Sequence, residues 1–67
     1  MTATIQAGDT VAWLRDGGRK WRAMSGVVEE VKGAWVWVVV TGVESSHDRR
    51  ELGQRWAVQL AELVRES

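Results

Sequence analysis

From Val27 to Val43 the chain reads Val-Val-Glu-Glu-Val-Lys-Gly-Ala-Trp-Val-Trp-Val-Val-Val-Thr-Gly-Val, two runs of β-branched residues on either side of a Lys-Gly pair. Such side chains fit a pleated surface, and a glycine between two runs supplies the positive φ of a tight turn, so the pattern predicts an antiparallel hairpin. With Lys32 and Gly33 as the turn, its strands run from about Ser25 to Val31 and from Ala34 to Thr41. Val31 then faces Ala34, Glu30 faces Trp35 and Val28 faces Trp37. One side carries Val27, Val31, Val36, Val38 and Val40, with Glu29 as its misfit; the other carries Val28, Trp35, Trp37 and Val39 beside Glu30 and Thr41. A ribbon apolar on both sides is either covered twice or presents one side for binding. A β-bulge at Glu29-Glu30 would reshuffle the two sides.

Upstream, Gly8-Asp9 is a turn signal, and Thr10-Val-Ala-Trp-Leu14 predicts a short strand that stops at Asp16-Gly17-Gly18. Gly17 to Trp21, with two glycines and two cations before the tryptophan, is expected as an exposed loop. Residues 1–7 are expected to be a flexible N-terminus and 8–67 a single domain.

The last third fits two patterns. Leu52, Trp56, Leu60, Leu63 and Val64 fall at helical spacing, with Ser45 or Ser46 as a cap. A helix from Asp48 to Arg65 would make the fold a three-stranded antiparallel sheet plus a C-terminal helix, with Gly53 inside it at a cost of roughly 1 kcal/mol. The alternation Trp56-Ala-Val58-Gln-Leu60 instead suits a strand followed by a short turn.

Composition narrows the chemistry. A chain of 67 residues makes one domain, and a domain near that size buries only roughly 60% of the surface its unfolded chain exposes. Small scaffolds add disulfides, a metal or a partner subunit. Here there is no cysteine and one histidine, His47, which leaves association as the expected support. The start Met1-Thr-Ala-Thr-Ile-Gln has neither a basic region nor a long apolar run, so a soluble cytoplasmic protein is expected.

Nine basic and nine acidic residues cancel, but Arg15, Arg19, Lys20 and Arg22 stand against Asp16 alone. Trp21 lies among them, and aromatic rings interleaved with cations are the elements of a surface that tracks a nucleic-acid backbone and stacks on bases. Arg49, Arg50 and Arg55 would extend that surface, but Glu44, Asp48 and Glu51 balance them.

The tryptophans divide. Trp13 and Trp56 are expected in the core, where each such ring buries about 150–250 Å². Trp35 and Trp37 share one side of a strand and, with Val39, form a candidate contact surface. Ser46-His47-Asp48 reads as a polar loop, and Glu29 and Glu30, as strand neighbours, point to opposite faces. No metal-ligand spacing and no phosphate-cradling glycine loop is present in the sequence, so no metal, cofactor or catalytic group is expected.

The order Gly8-Asp9-x-Val11, then Gly26-Val27-Val28, then Trp56-Ala-Val58-Gln-Leu60-Ala-Glu-Leu63 resembles the SH3-like small barrels of the KOW and Tudor type over residues 8 to 64. The resemblance implies an all-β, five-stranded SH3-like barrel with a short 3₁₀ turn near the C-terminus. Val58-Gln59-Leu60-Ala61 is also similar to the Val-Gln-Ile-Tyr pore motif of the plasmid-borne type II dihydrofolate reductases, tetramers of such barrels, although Ala61 replaces the tyrosine and no pore lysine stands in place.

The expected function is a non-catalytic binding module associated with nucleic acid through Arg15, Arg19, Lys20, Trp21 and Arg22. A second expectation is a protein-interaction or homo-oligomeric module using Trp35, Trp37 and Val39. A third is a pore enzyme using Gln59 and Leu60.

Overall fold

The computed structural model describes residues 5–16 and 20–66. Strands β1 (Thr10–Asp16), β2 (Trp21–Lys32), β3 (Trp35–Val43), β4 (Arg55–Gln59) and β5 (Val64–Arg65) form one antiparallel sheet in the order β4-β3-β2-β1-β5. Two 3₁₀ segments, Ser46–Glu51 and Leu60–Glu62, flank β4. The protein is therefore all-β. Among the described residues no helix is long and apolar enough to cross a membrane.

The helix over 48–65 does not form, and β3 is the reason. Gly53 takes φ +85°, its N–H donates to the Val40 carbonyl, and the Val40 N–H donates to the Gln54 carbonyl. Strand pairing thus captures the backbone where a helix would have to continue, and the glycine adopts a conformation other residues avoid.

The predicted hairpin is present, but its turn lies one residue later than the sequence suggested. Lys32 pairs with Trp35, leaving Gly33 and Ala34 as the loop, and Gly33 has φ +59°. A glycine at the first of two loop positions is what a type II′ turn requires, whereas the expected Lys32-Gly33 turn would have put Lys32 there. Val31 consequently faces Val36 rather than Ala34, and Glu30 faces Trp37.

A register shift between Val28 and Glu30 then leaves Glu29 unpaired, and Val28 faces Val38. This bulge corrects the predicted faces. Val28 turns inward beside Val36, Val38 and Val40, while Val27, expected with them, turns outward. These four valines, with Val11, Trp13, Met24 and Val58, are the buried core, and Ile5, Val43, Trp56 and Leu63 pack against it.

The sheet is strongly curved. β4 and β5 occupy opposite edges, yet only residues 60–63 separate them in sequence, a step of five residues that spans at most about 18 Å. Trp13 of β1 and Trp56 of β4 touch across the fold, ring centroids 6.3 Å apart and planes at 49°, although two strands lie between them in the sheet.

Candidate binding groove

Inward-facing positions of β1 run Val11, Trp13, Arg15, so the core face of this strand ends in a cation. Its cross-strand neighbour is Arg22. Asp48, from the 3₁₀ segment whose preceding Ser45 accepts the His47 N–H, reaches this pair and is almost fully buried. Arg22 donates from Nε to Oδ2 at 2.7 Å and from Nη2 to Oδ1 at 3.0 Å. Arg15 donates from Nη1 to Oδ1 at 2.9 Å, with a Glu51 oxygen 3.7 Å away.

The two-pronged Arg22 contact has the planar geometry that makes charge-assisted pairs strong. Hydrogen bonding by Arg22 holds the Asp48 carboxyl below its ordinary range against the opposing effect of burial, and the charges of Arg22, Arg15 and His47 act in the same direction. The Arg22 guanidinium is raised, chiefly by the same hydrogen bonds and against its own desolvation.

Two of the five candidate nucleic-acid residues, Arg15 and Arg22, are therefore held together on one buried carboxylate. Arg15 also stands over the Trp56 ring, 5.1 Å from its centroid. Arg19 lies outside the described residues. Lys20 is exposed, and Trp21 opens β2 with 60% of its surface in solvent. Asp48, read in sequence as part of a polar loop that balances Arg49, Arg50 and Arg55, neutralises different cations. Arg55 pairs with the bulge residue Glu29.

The three hairpin candidates lie on the outer face. Trp37 is half-buried beneath the Arg55 guanidinium, 4.7 Å from its ring centroid, and Val39 is half-buried opposite Val27 and Arg55. Trp35 diverges from them. Half exposed, it lines a groove of about 450 Å³ between β1 and β4 together with Trp13, Trp21 and Trp56, four of the five tryptophans in the chain.

Beside this groove, and sharing Trp13, Leu14, Trp21 and Glu62 with it, lies a hollow of about 530 Å³ bordered by Ala12, Ala23 and Val64. Leu14, Trp21 and Val64 are each more than half exposed. The indole Nε1–H of Trp13 is buried without an acceptor. Of the residues resembling a pore motif, Val58 belongs to the core, while Gln59 reaches the groove and Leu60 begins the second 3₁₀ segment.

The hollow was not anticipated, although a signal existed. Val11-Ala-Trp-Leu is apolar at outward as well as inward positions, and Trp21 and Ala23 of β2 continue the outward row.

Fold and groove together define a small all-β domain with a tryptophan-lined cleft at the margin of its sheet. Compared with protein-family models, with curated proteins and with solved structures, the chain matches none.

Proposed function

We propose that this chain is a non-catalytic interaction module that docks a protein through the apolar surface around Leu14, Trp21 and Val64. The supporting observation is that these three large side chains border one hollow while remaining more than half exposed. Contiguous apolar surface of this kind on a small soluble domain marks an interaction site, and tryptophan is the residue type most enriched at the energetic centre of such sites. The SH3-like resemblance supports the same reading. The order β4-β3-β2-β1-β5, with a 3₁₀ turn between the edge strands, is the connectivity such a barrel would have.

Trp21→Ala tests it. Because Trp21 lies at the surface, stability in urea is expected to stay within about 0.5 kcal/mol of the parent. Self-association measured by sedimentation, or affinity for a captured protein, is expected to fall at least about tenfold. Association of this type persists at high salt. A variant with unchanged mass and unchanged affinity would remove the proposal.

One observation favours a second reading, binding to nucleic acid: exposed Trp21 is adjacent to exposed Lys20. With Arg15 and Arg22 engaged by Asp48, that surface offers few free cations. Binding to a short oligonucleotide is then expected to be weak at physiological salt and to vanish in Lys20→Glu combined with Arg19→Glu. Persistence of binding in that double variant would end this reading.

A further inference from the structure

β5 is too short to cover β1. It pairs only with Val11 and Ala12, leaving the rest of β1 without a paired neighbour on that side among the described residues. The Glu66 N–H donates to the Thr10 carbonyl at 2.8 Å, so Thr10 directs its backbone groups toward β5. Strand alternation then makes Leu14 direct its N–H and C=O to the same side, past the end of β5.

The free edge of β4 is complementary. The Val40 N–H donates to the Gln54 carbonyl and the Leu60 N–H to the Ala34 carbonyl, so the even-numbered positions of this stretch face β3. Ala57 therefore directs its N–H and C=O away from the sheet.

Leu14 and Ala57 line the same groove, and no strand pairing joins β1 to β4. The groove between them holds about 450 Å³. Neighbouring strands stand about 4.8 Å apart, so one further strand between β1 and β4 needs roughly 9.6 Å.

The walls of this seam specify what would enter it. Trp13 and Trp56 supply apolar surface, and the buried Trp13 Nε1–H has no acceptor. Arg15 is committed to Asp48 and Glu51. Glu62, on the rim, has no cation within ion-pair distance among the described residues.

We propose that an extended segment of a partner protein, apolar and carrying a lysine or arginine, adds as a strand in the seam between β1 and β4. Its backbone pairs with Leu14 and Ala57, and its cation meets Glu62. This is strand addition to an uncovered sheet edge, in which main-chain hydrogen bonds give affinity and alternate side chains give selectivity. The proposal rests on the docking reading above and names its partner.

The probe is a random heptapeptide library displayed on phage and selected against the intact chain, with the selected peptides then made in capped form. Expected peptides are poor in proline and contain lysine or arginine. Ala57→Pro removes one donor from the free edge and none from the β3 ladder, a position where strands tolerate proline. It is expected to weaken these peptides about tenfold, and Glu62→Gln severalfold, by calorimetry. Hydrogen exchange at the Leu14 and Ala57 amides is expected to slow on saturation, a readout that remains valid if Ala57→Pro fails to fold.

Peptides that lose affinity in Trp21→Ala but not in Ala57→Pro, and that leave both amides unprotected, would overturn strand addition while keeping the docking surface. Selection of no peptide would overturn strand addition by a partner segment and leave the docking reading to the Trp21→Ala measurement above. Protection of the same two amides by self-association alone would assign the seam to a second copy of this chain and overturn the proposed partner.

Discussion

Asp48→Asn is expected to lower the thermal midpoint of this chain by roughly 10 °C, more than any exposed substitution in a domain of this size. Asparagine keeps the shape but not the charge, and its amide offers one acceptor oxygen where the carboxylate has two. Arg22 loses its two-pronged partner, and Arg15, its cross-strand neighbour, faces a second guanidinium with a neutral amide in place of the carboxylate between them. Removing the buried member of an ionic cluster costs more than the cluster contributes, because the remaining charges, Arg15 and Arg22, stay partly desolvated.

The pH dependence carries a sign that identifies the cause. Native Asp48 titrates below its unfolded range, so its contribution is complete above the usual carboxylate pKa of about 4 and is lost as pH falls through the depressed native value. Circular-dichroism melts between pH 2 and 7 should show the parent and variant midpoints converging in acid. Midpoints separated by a constant amount across that range would show that packing, not charge, is lost.

The same cluster shows where the sequence was legible and where it was not. Hairpin and first strand follow from β-branched runs and alternation, which are local properties, and the bulk of Trp13 suits the core; the Trp56–Leu60 alternation that becomes β4 competes locally with helical spacing. Asp48 belongs to no local pattern. It lies 33 residues from Arg15 and 26 from Arg22, and its burial depends on the 3₁₀ segment folding back over the end of β1 and β2. One clue was available: Val11, Trp13 and Arg15 share a strand face, and an arginine in line with core residues requires an acid.

The turn was illegible for a different reason, whereas the sequence already marked Glu29-Glu30 as the place for a bulge. In Lys-Gly-Ala-Trp a glycine serves as either the first or the second loop residue, and the two choices differ by two positions in pairing. The acidic pair Glu29-Glu30 then absorbs the mismatch: Glu29 takes the bulge and pairs with Arg55, which in turn covers Trp37. Trp35 escapes that cover and faces the groove. A contact surface assigned to Trp35, Trp37 and Val39 as a unit is thus divided by one cation from the neighbouring strand.

Gly26→Ala is expected to destabilise the domain by at least about 3 kcal/mol, comparable with the roughly 3–10 kcal/mol that hold a chain of this length folded. Gly26 is buried opposite Val40, beside the register shift with Ser25. A Cβ there would overlap the carbonyl oxygen of Val39 and lie 3.3 Å from the Trp13 ring. Relief would require β2 and β3 to separate in the middle of their ladder, because backbone, unlike a side chain, cannot rotate aside. Gly42→Ala is the control. It lies across the same hairpin opposite Ser25, and its Cβ would crowd only the Ser25 Oγ, at 2.5 Å, a hydroxyl that can turn away. Its cost is expected to be below about 1 kcal/mol. Urea midpoints of the two variants measured side by side would decide the matter, and equal midpoints would mean that β2 and β3 do not pair in the register described.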